Sequence, residues 1–572
     1  MSSFDYYVAL VFSLLVLALG MMFSKSGKNM TSFFAAGGGV PWWISGLSLF
    51  MSFFSVGTFV VWGSIAYSSG FVAITIQATM AIAGLFIGFV IAPAWNKTGV
   101  ITVAEFITQR LGKSVQKLYS SAFLFINLFT AGAFLYPVGK IIEVSTGVPL
   151  NTAIIVLGLF IIAYTTVGGL WAVLVTDVLQ FVVLSAAVVL IIPLAFGEIG
   201  GVASFFEKLP EGFSAVFNDE YSPIFLIAFL IYNAVFIGGN WAYVQRYTSV
   251  SKPSNAKKVG WLFGMLYLVA PIVWMLPPMI YRIINPDLQG TEAEEAYLLI
   301  GKLVLPEGLL GLVLGSMIFA TASSVNTTLN IAAGVFTNDI FKSFKPKISA
   351  DNLMKIARVS TFVFGFLAIL VALAVQNMGG IVEVVLSIAA LTGAPLYLPP
   401  IWALFSRRQT GKSILVTTVL SLSINVIFKF ITPNIFNYEL TRPSEMMVGV
   451  LVPIFILTMF ELIYKYKGQP NSEYEQYLKI QKTKLSLKQQ SIQEEDISEE
   501  SNNFAMKILS IGVISIGLLI TGLGFLTDTS NKETITIGIM IIFVPLFLIL
   551  KKSSSSVNNI QSKQNISEQV RK

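Results

Sequence analysis

Apolar runs close to the length of a membrane-crossing helix recur about fifteen times along the chain, and no other feature limits its fold so strongly. They span residues 5–23, 41–66, 70–95, 115–140, 149–168, 171–196, 222–246, 259–284, 306–338, 355–376, 380–406, 412–433, 445–464, 504–527 and 534–551. The composition agrees: 55% of the 572 residues are hydrophobic and 12% are charged. A soluble domain carries about 25% charge because its surface meets water, so most of this chain has no aqueous surface to cover. An all-α polytopic membrane protein is therefore expected. Fibrous, disordered and nucleic-acid-binding classes are excluded, and the net charge of +7 reflects where loops lie rather than a polyanionic partner.

No basic region precedes the first run, which is read as a retained span rather than a cleaved leader. If the amino terminus lies outside, 30 of the 37 Lys and Arg residues fall in the odd-numbered turns and the tail, the pattern of cytoplasmic loops. Acidic stretches such as Glu207, Glu211, Asp219 and Glu220, or Asp287, Glu292, Glu294 and Glu295, stay on the other side. The expected topology is thus a cell-membrane protein with its amino terminus outside and its carboxy terminus in the cytoplasm. Residues 468–503 are rich in Gln, Glu, Ser and Lys and read as a flexible or partly helical tether, with regulatory docking as the alternative. The Ser- and Asn-rich tail after Lys552 reads as disordered.

The chain has no Cys and no His. Thiolate and imidazole chemistry is excluded, leaving carboxylates, hydroxyls, amides, aromatic rings and backbone carbonyls. Polar groups in the hydrocarbon layer are costly, so their clusters are candidate sites. The densest is Phe319-Ala320-Thr321-Ala322-Ser323-Ser324-Val325-Asn326-Thr327-Thr328-Leu329-Asn330, where Ser323, Thr327 and Asn330 share one helical face. Such oxygen donors suit a hard monovalent cation, and would equally serve helix packing. In the second run, Met51-Ser52-Phe53-Phe54-Ser55-Val56-Gly57-Thr58 places small, weak helix formers in mid-membrane, as a broken transporter helix or a small-residue packing face would. Asp177 stands about 9 Å inside the sixth run, at 1.5 Å per residue, deep enough to want a cation or a hydrogen-bonding partner.

Thr102-Val103-Ala104-Glu105-Phe106, Gly168-Gly169-Leu170-Trp171-Ala172-Val173-Leu174-Val175-Thr176-Asp177-Val178-Leu179-Gln180, Tyr243-Val244-Gln245-Arg246-Tyr247 and Phe336-Thr337-Asn338-Asp339-Ile340 occur in that order. With these motifs, residues 1–465 resemble the sodium/solute symporter family. The resemblance implies Na⁺-coupled import of a small organic solute and a leucine-transporter-like core of two inverted five-helix repeats at 41–406. An extra helix and linker would precede it at 1–40. Two further helices at 407–465, the linker at 466–503, two last helices at 504–551 and the tail at 552–572 would follow. It also implies a Na⁺ site from the Met51, Phe54 and Ala320 carbonyls with the Ser323 and Ser324 hydroxyls. A possible second site takes Asp177, Asn326 and Thr327, with Asn326 standing where the family has a hydroxyl.

The resemblance places the solute among Thr58, Gln77, Asn127, Asn240, Tyr243, Tyr267 and Ser387, each of which could instead be a helix–helix hydrogen bond. Phe53 and Met80 replace an amide and a hydroxyl of the sodium–galactose members, which puts galactose itself in doubt. No Arg or Lys is expected to reach this region, so a neutral sugar or sugar derivative is favoured. An amino-acid or carboxylate symporter, or a transporter-derived sensor or channel, is the alternative. No enzymatic activity and no obligate protein partner are expected; the partners are the solute and the lipid bilayer.

Overall fold

The computed structural model describes residues 2–22, 39–100, 102–165, 170–345, 347–468, 471–490, 495–526 and 532–543, and every regular element among them is a helix. In chain order the first are α1 (Ser3–Met22), α2 (Trp42–Met51), α3 (Gly63–Ser69), α4 (Val72–Lys97), α5 (Val103–Leu111), α6 (Lys113–Thr146) and α7 (Leu150–Thr165). They continue with α8 (Leu170–Ile199), α9 (Pro223–Gly239), α10 (Trp241–Thr248), α11 (Pro253–Ile284) and α12 (Leu309–Val335). The last are α13 (Ala350–Ala374), α14 (Ile381–Phe405), α15 (Gly411–Phe436), α16 (Arg442–Lys467), α17 (Ser472–Gln490) and α18 (Glu495–Leu526).

Ten helices among the described residues are long and apolar enough to cross a membrane, or eleven when the bent pair α9 and α10 counts as one. The expected fifteen are not reached. The runs at 5–23, 41–66 and 149–168 yield the shorter apolar helices of α1, α2 and α7. The run at 41–66 is interrupted after Met51, and the runs at 149–168 and 534–551 extend into residues outside the described set. Also outside it are residues 23–38, the Gly168-Gly169 start of the long motif and the tail after Lys552.

Burial separates core from periphery. In α12, 89% of the apolar window is buried inside the protein, against 28% in α15 and 33% in α16. The helix carrying the hydroxyl cluster is therefore central, with α1, α6, α8 and α13 packed around it. Helices α4 and α11 cross closely through facing glycines. A Cβ on Gly260 would lie 2.6 Å from the Gly88 Cα, and one on Gly84 would lie 2.9 Å from the Gly264 Cα. Both helices carry the small-xxx-small spacing that lets backbones meet without side chains between them.

Polar contacts sort the turns into two groups. In one, the Asn96 Nδ2 donates to the Tyr247 and Val250 carbonyls, and the Arg110 Nη2 donates to those of Ser406 and Gln409. In the other, the Ile381 amide donates to the Glu294 Oε1, and Arg442 pairs with Glu220 at 2.6 Å and with Glu383 at 3.0 Å.

The segment read as a flexible or partly helical tether is helical over α17, and the start of that helix packs against neighbouring turns. Asn471 Nδ2 donates to the carbonyls of Arg407, Arg408 and Gln409, and Glu473 accepts the first amide of α15, that of Gly411, at 2.7 Å. Buried Tyr477 meets Phe106 edge-on at 5.8 Å, and the Arg110 guanidinium lies 5.0 Å from the centre of the Tyr474 ring. Burial raises the Tyr477 phenol to about 12. The alternation of Tyr and Glu in this polar stretch supplies the anchors that composition alone leaves unassigned.

Candidate functional site

The break after α2 is built from hydroxyls. Ser52, Ser55 and Gly57 are weak helix formers, and Ser and Thr side chains compete for backbone groups. The Ser55 amide donates to the Thr58 Oγ1 and the Val56 amide to the Thr321 Oγ1 of α12, each at 3.3 Å. Those amides would otherwise close on Met51 and Ser52. The Thr58 amide turns back to the Ser55 carbonyl at 3.0 Å rather than to Phe54, and the Thr58 hydroxyl donates to the Phe53 carbonyl. The Met51 and Phe54 carbonyls are thereby released from α-helical pairing. A π-helical turn, Thr58–Trp62, resumes the chain into α3.

Opposite the break, α12 presents its polar face. The Ser324 hydroxyl donates to the Ala320 carbonyl at 3.3 Å, and the Thr328 hydroxyl donates to that of Ser324 at 2.9 Å. Asp177 of α8 is 5% exposed and joins three elements. Its Oδ1 accepts from the Ser323 hydroxyl at 2.9 Å and its Oδ2 from the Ser48 hydroxyl of α2 at 2.6 Å. The Ser48 oxygen in turn accepts from the Arg246 Nη2 of α10 at 3.4 Å. Arg246 is 2% exposed, so a buried cation and a buried anion balance each other through one hydroxyl. Removing one member of such a set leaves an uncompensated buried charge, which costs about 3–5 kcal/mol.

Two clefts meet at the break. Met51, Ser52, Asn127, Asp177, Asn240, Tyr243, Arg246, Ser323, Ser324 and Thr327 contribute to the wall of the polar one. Its hydroxyl, carboxylate and carbonyl oxygens, without thiolate or imidazole, fit a hard monovalent cation. The other, larger cleft is walled by rings, among them Phe53, Trp62, Phe134, Phe229, Tyr232, Phe236, Tyr243, Tyr267 and Tyr397. None of its lining residues is charged. Phe225, Phe229, Tyr232 and Phe236 stack along α9 at successive centroid distances of 5.4 Å. Ser52, Thr130, Phe134, Phe236 and Tyr243 belong to both walls.

The expected solute residues divide. Thr58 and Tyr267 line the aromatic cleft with Met80, Asn127 and Asn240 line the polar one, and Tyr243 faces both. Asn240 also serves the backbone: its Oδ1 accepts the Ala242 amide at 3.0 Å and its Nδ2 donates to the Tyr397 hydroxyl at 3.3 Å. Gln77 is 1% exposed and lines neither cleft, and its Oε1 has no hydrogen-bond partner among the described residues. Ser387 also lies outside both walls, donating to the Glu383 carboxylate at 2.9 Å. Among the remaining ion-site candidates, Phe54 and Ala320 are buried outside both walls, and the Asn326 oxygen accepts from the Asn330 amide.

One expectation is corrected. A basic residue does reach this region, because Arg246 folds inward from the turn to which its charge assigned it and lines the polar cleft. Sequence reasoning also missed Ser48 and Asn233. The signal for Arg246 was its place inside Tyr243-Val244-Gln245-Arg246-Tyr247, next to a helix break. Asn233 lines the aromatic cleft while its Nδ2 donates to the Thr79 hydroxyl at 2.9 Å.

Comparisons with known proteins bear on this arrangement. The sequence model of the sodium:solute symporter family matches residues 33–421. A sodium/glucose cotransporter of Vibrio parahaemolyticus is 26% identical over 469 residues, covering 75% of this chain and 86% of that protein. The sodium/sialic acid symporter NanT of Aliivibrio fischeri is 26% identical over 425 residues, covering 71% and 84%. Among solved structures, a substrate-bound, outward-open Na⁺-coupled sialic acid symporter superposes with a TM-score of 0.68 at 22% identity, covering 81% of this chain and 98% of that one. A nucleobase-cation-symport-1 family transporter superposes with a TM-score of 0.51 at 14% identity, covering 78% and 98%. At these identities the two structural likenesses show the fold alone.

Proposed function

The chain belongs to the sodium:solute symporter family, and from that membership we propose that it imports a neutral sugar or sugar derivative by alternating access around the break after α2. Na⁺ is the coupling ion of this Na⁺-coupled symporter. The observation that carries the solute assignment is the uncharged, ring-walled cleft sharing a wall with the polar one. Aromatic faces receive the C–H face of a sugar, and the Thr58, Tyr243 and Tyr267 hydroxyls supply polar contacts. Glucose and sialic acid transporters among the relatives support a sugar-like solute.

The Na⁺ site is assigned to the carbonyls of Met51, Phe54 and Ala320 and the hydroxyls of Ser323 and Ser324. An ion there ties the break to α12 and holds the shared wall in the shape that receives solute. Asp177 with Thr327 offers a second position, to which Asn326 would contribute only on leaving Asn330. Each charge moved through 100 mV contributes about 2.3 kcal/mol, enough for roughly 50-fold accumulation. Glu383 is committed to ion pairs with Lys429 and Arg442, which supports a role without catalysis.

The core at 41–406 is read as two inverted five-helix repeats. Both open with a broken helix, α2–α3 and α9–α10. Equivalent helices pair across the centre: α4 with α11, α6 with α12 and α7 with α13. Helices 1–40, 407–465 and 504–551 flank this core, 466–503 links and 552–572 trails. The two groups of turns, each internally connected and all odd or all even, support fifteen crossings with the amino terminus outside and the carboxy terminus in the cytoplasm.

A carboxylate-bearing solute is the second reading, favoured by Arg246 in the polar cleft; its balance by Asp177 and its absence from the wall of the larger cleft argue for the neutral one. Uptake into proteoliposomes decides. Labelled monosaccharides, sugar acids and amino acids are each presented with an inward Na⁺ gradient, then with K⁺ instead. Uptake of a neutral sugar that vanishes without Na⁺ is expected. Uptake confined to acids overturns the neutral solute, and equal uptake under both cations overturns Na⁺ coupling.

A further inference from the structure

Helix α1 lies outside the proposed repeats, and nothing above gives it a task. Its Asp5 is 3% exposed. The Asp5 Oδ1 accepts from the Gly308 amide at 2.7 Å and the Gly311 amide at 3.1 Å, at the start of α12. The first amides of a helix have no partner within it. Gly308 stands at the N-cap of α12 and has no side chain with which to satisfy them. The cap comes instead from a residue about 300 positions away, whose Oδ2 is held by the Ser2 amide at 2.9 Å and the Ser2 hydroxyl at 3.2 Å.

The same face of α12 is shaped for α1. A Cβ on Gly311 would strike the Asp5 carbonyl, one on Gly308 would lie 2.7 Å from the Phe4 ring, and one on Gly315 would lie 3.2 Å from the Phe12 ring. Further along, Phe12 meets Phe319 edge-on at 6.5 Å, one residue before Ala320. The two helices are thus joined at the cap and again beside the ion-site residues.

We propose that Asp5 is a positioning residue for the Na⁺ site: by capping α12 from α1, it fixes that helix along its axis so that Ser323 and Ser324 stand opposite the break after α2. This rests on the assignment of those hydroxyls as Na⁺ ligands. A slip of one residue's rise, about 1.5 Å, exceeds the roughly 0.5 Å within which a binding constellation must be held.

The test is a Na⁺ titration of the melting temperature of the purified full-length protein, with K⁺ keeping the ionic strength constant. Binding to the folded state raises the melting temperature as the logarithm of one plus the Na⁺ concentration over its dissociation constant, so fitting each curve to that dependence yields the Na⁺ concentration that half-saturates the site. Asp5→Ala is expected to raise that concentration about fivefold, the size of effect that loss of a helix cap produces, and Asp5→Asn, which keeps an acceptor oxygen, by less. Phe205→Ala, which empties a buried position on the short helix Val202–Lys208, is expected to lower the melting temperature without Na⁺ and leave half-saturation unchanged. Half-saturation of Asp5→Ala within about twofold of wild type overturns the proposal. An equal shift in Phe205→Ala also overturns it, because the effect would then follow stability alone. If Asp5→Ala does not fold, Asp5→Asn decides, and an unchanged value overturns the proposal. Ser324→Ala separates the two claims: wild-type half-saturation in that variant refutes the ligand assignment, whatever Asp5 does.

Discussion

The breaks after α2 and after α9 occupy matching places in the two proposed repeats, yet they treat their backbone groups in opposite ways. After α2, the four residues 52–55 leave the helix, and hydroxyls of Thr58 and Thr321 take amides that would have closed on carbonyls. After α9, only Asn240 leaves, and the chain bends by 60°. Its amide still reaches the Phe236 carbonyl at 2.9 Å, its own carbonyl accepts from Val244 at 2.9 Å, and its side chain caps α10. The first break frees oxygens that the proposed Na⁺ site would use; the second closes on itself and serves as an elbow. Interrupting a membrane helix therefore does not by itself make an ion site. The fate of the freed carbonyls does.

Three substitutions probe this contrast. The largest effect is expected from Ser324→Ala, which removes an oxygen facing the first break. Hydrogen bonds to charged groups contribute about 1.5–3 kcal/mol, so the Na⁺ concentration for half-maximal uptake should rise about 10- to 100-fold. A Na⁺ titration of the uptake rate measures this, and an unchanged midpoint removes α12 from the site. Next is Thr321→Val, which deprives the Val56 amide of its acceptor. A buried donor left unpaired costs about 1–3 kcal/mol, and the loosened break should weaken Na⁺ binding about three- to tenfold in the same assay. Smallest is Asn240→Ala. Loss of a cap costs about 1 kcal/mol and should appear as a lower melting temperature with the Na⁺ midpoint unmoved. A Na⁺ midpoint that moves in Asn240→Ala and stays put in Thr321→Val would reverse the comparison.

Local features of this architecture were legible in the sequence. The break follows from Ser52, Ser55 and Gly57 in mid-run, and the donors on α12 from seven polar side chains in twelve residues. What escaped was pairing across long separations. Asp177 signalled that it needed a partner, but nothing near it specifies Ser48, 129 positions earlier, or Ser323, 146 later. Arg246 counted as a cytoplasmic charge because basic residues in turns usually are; only the bend at Asn240 carries it inward. Ser387 was read as facing solute, whereas Glu383, one turn away, holds its hydroxyl. Apolar length also does not reveal where a helix stops, and ten or eleven of the fifteen runs stand as spanning helices among the described residues.

The facing glycines of α4 and α11 carry a mechanical consequence. Side chains between packed helices act as a compliant layer, able to change rotamer and let one helix ride over the other. Where Gly84 and Gly88 meet Gly260 and Gly264, that layer is absent and backbone rests on backbone. The joint has no slack to absorb displacement, so a push applied to one helix is delivered undiminished to its counterpart. Such a pair is expected to move as one body, with the compliance that transport needs supplied by the breaks after α2 and α9.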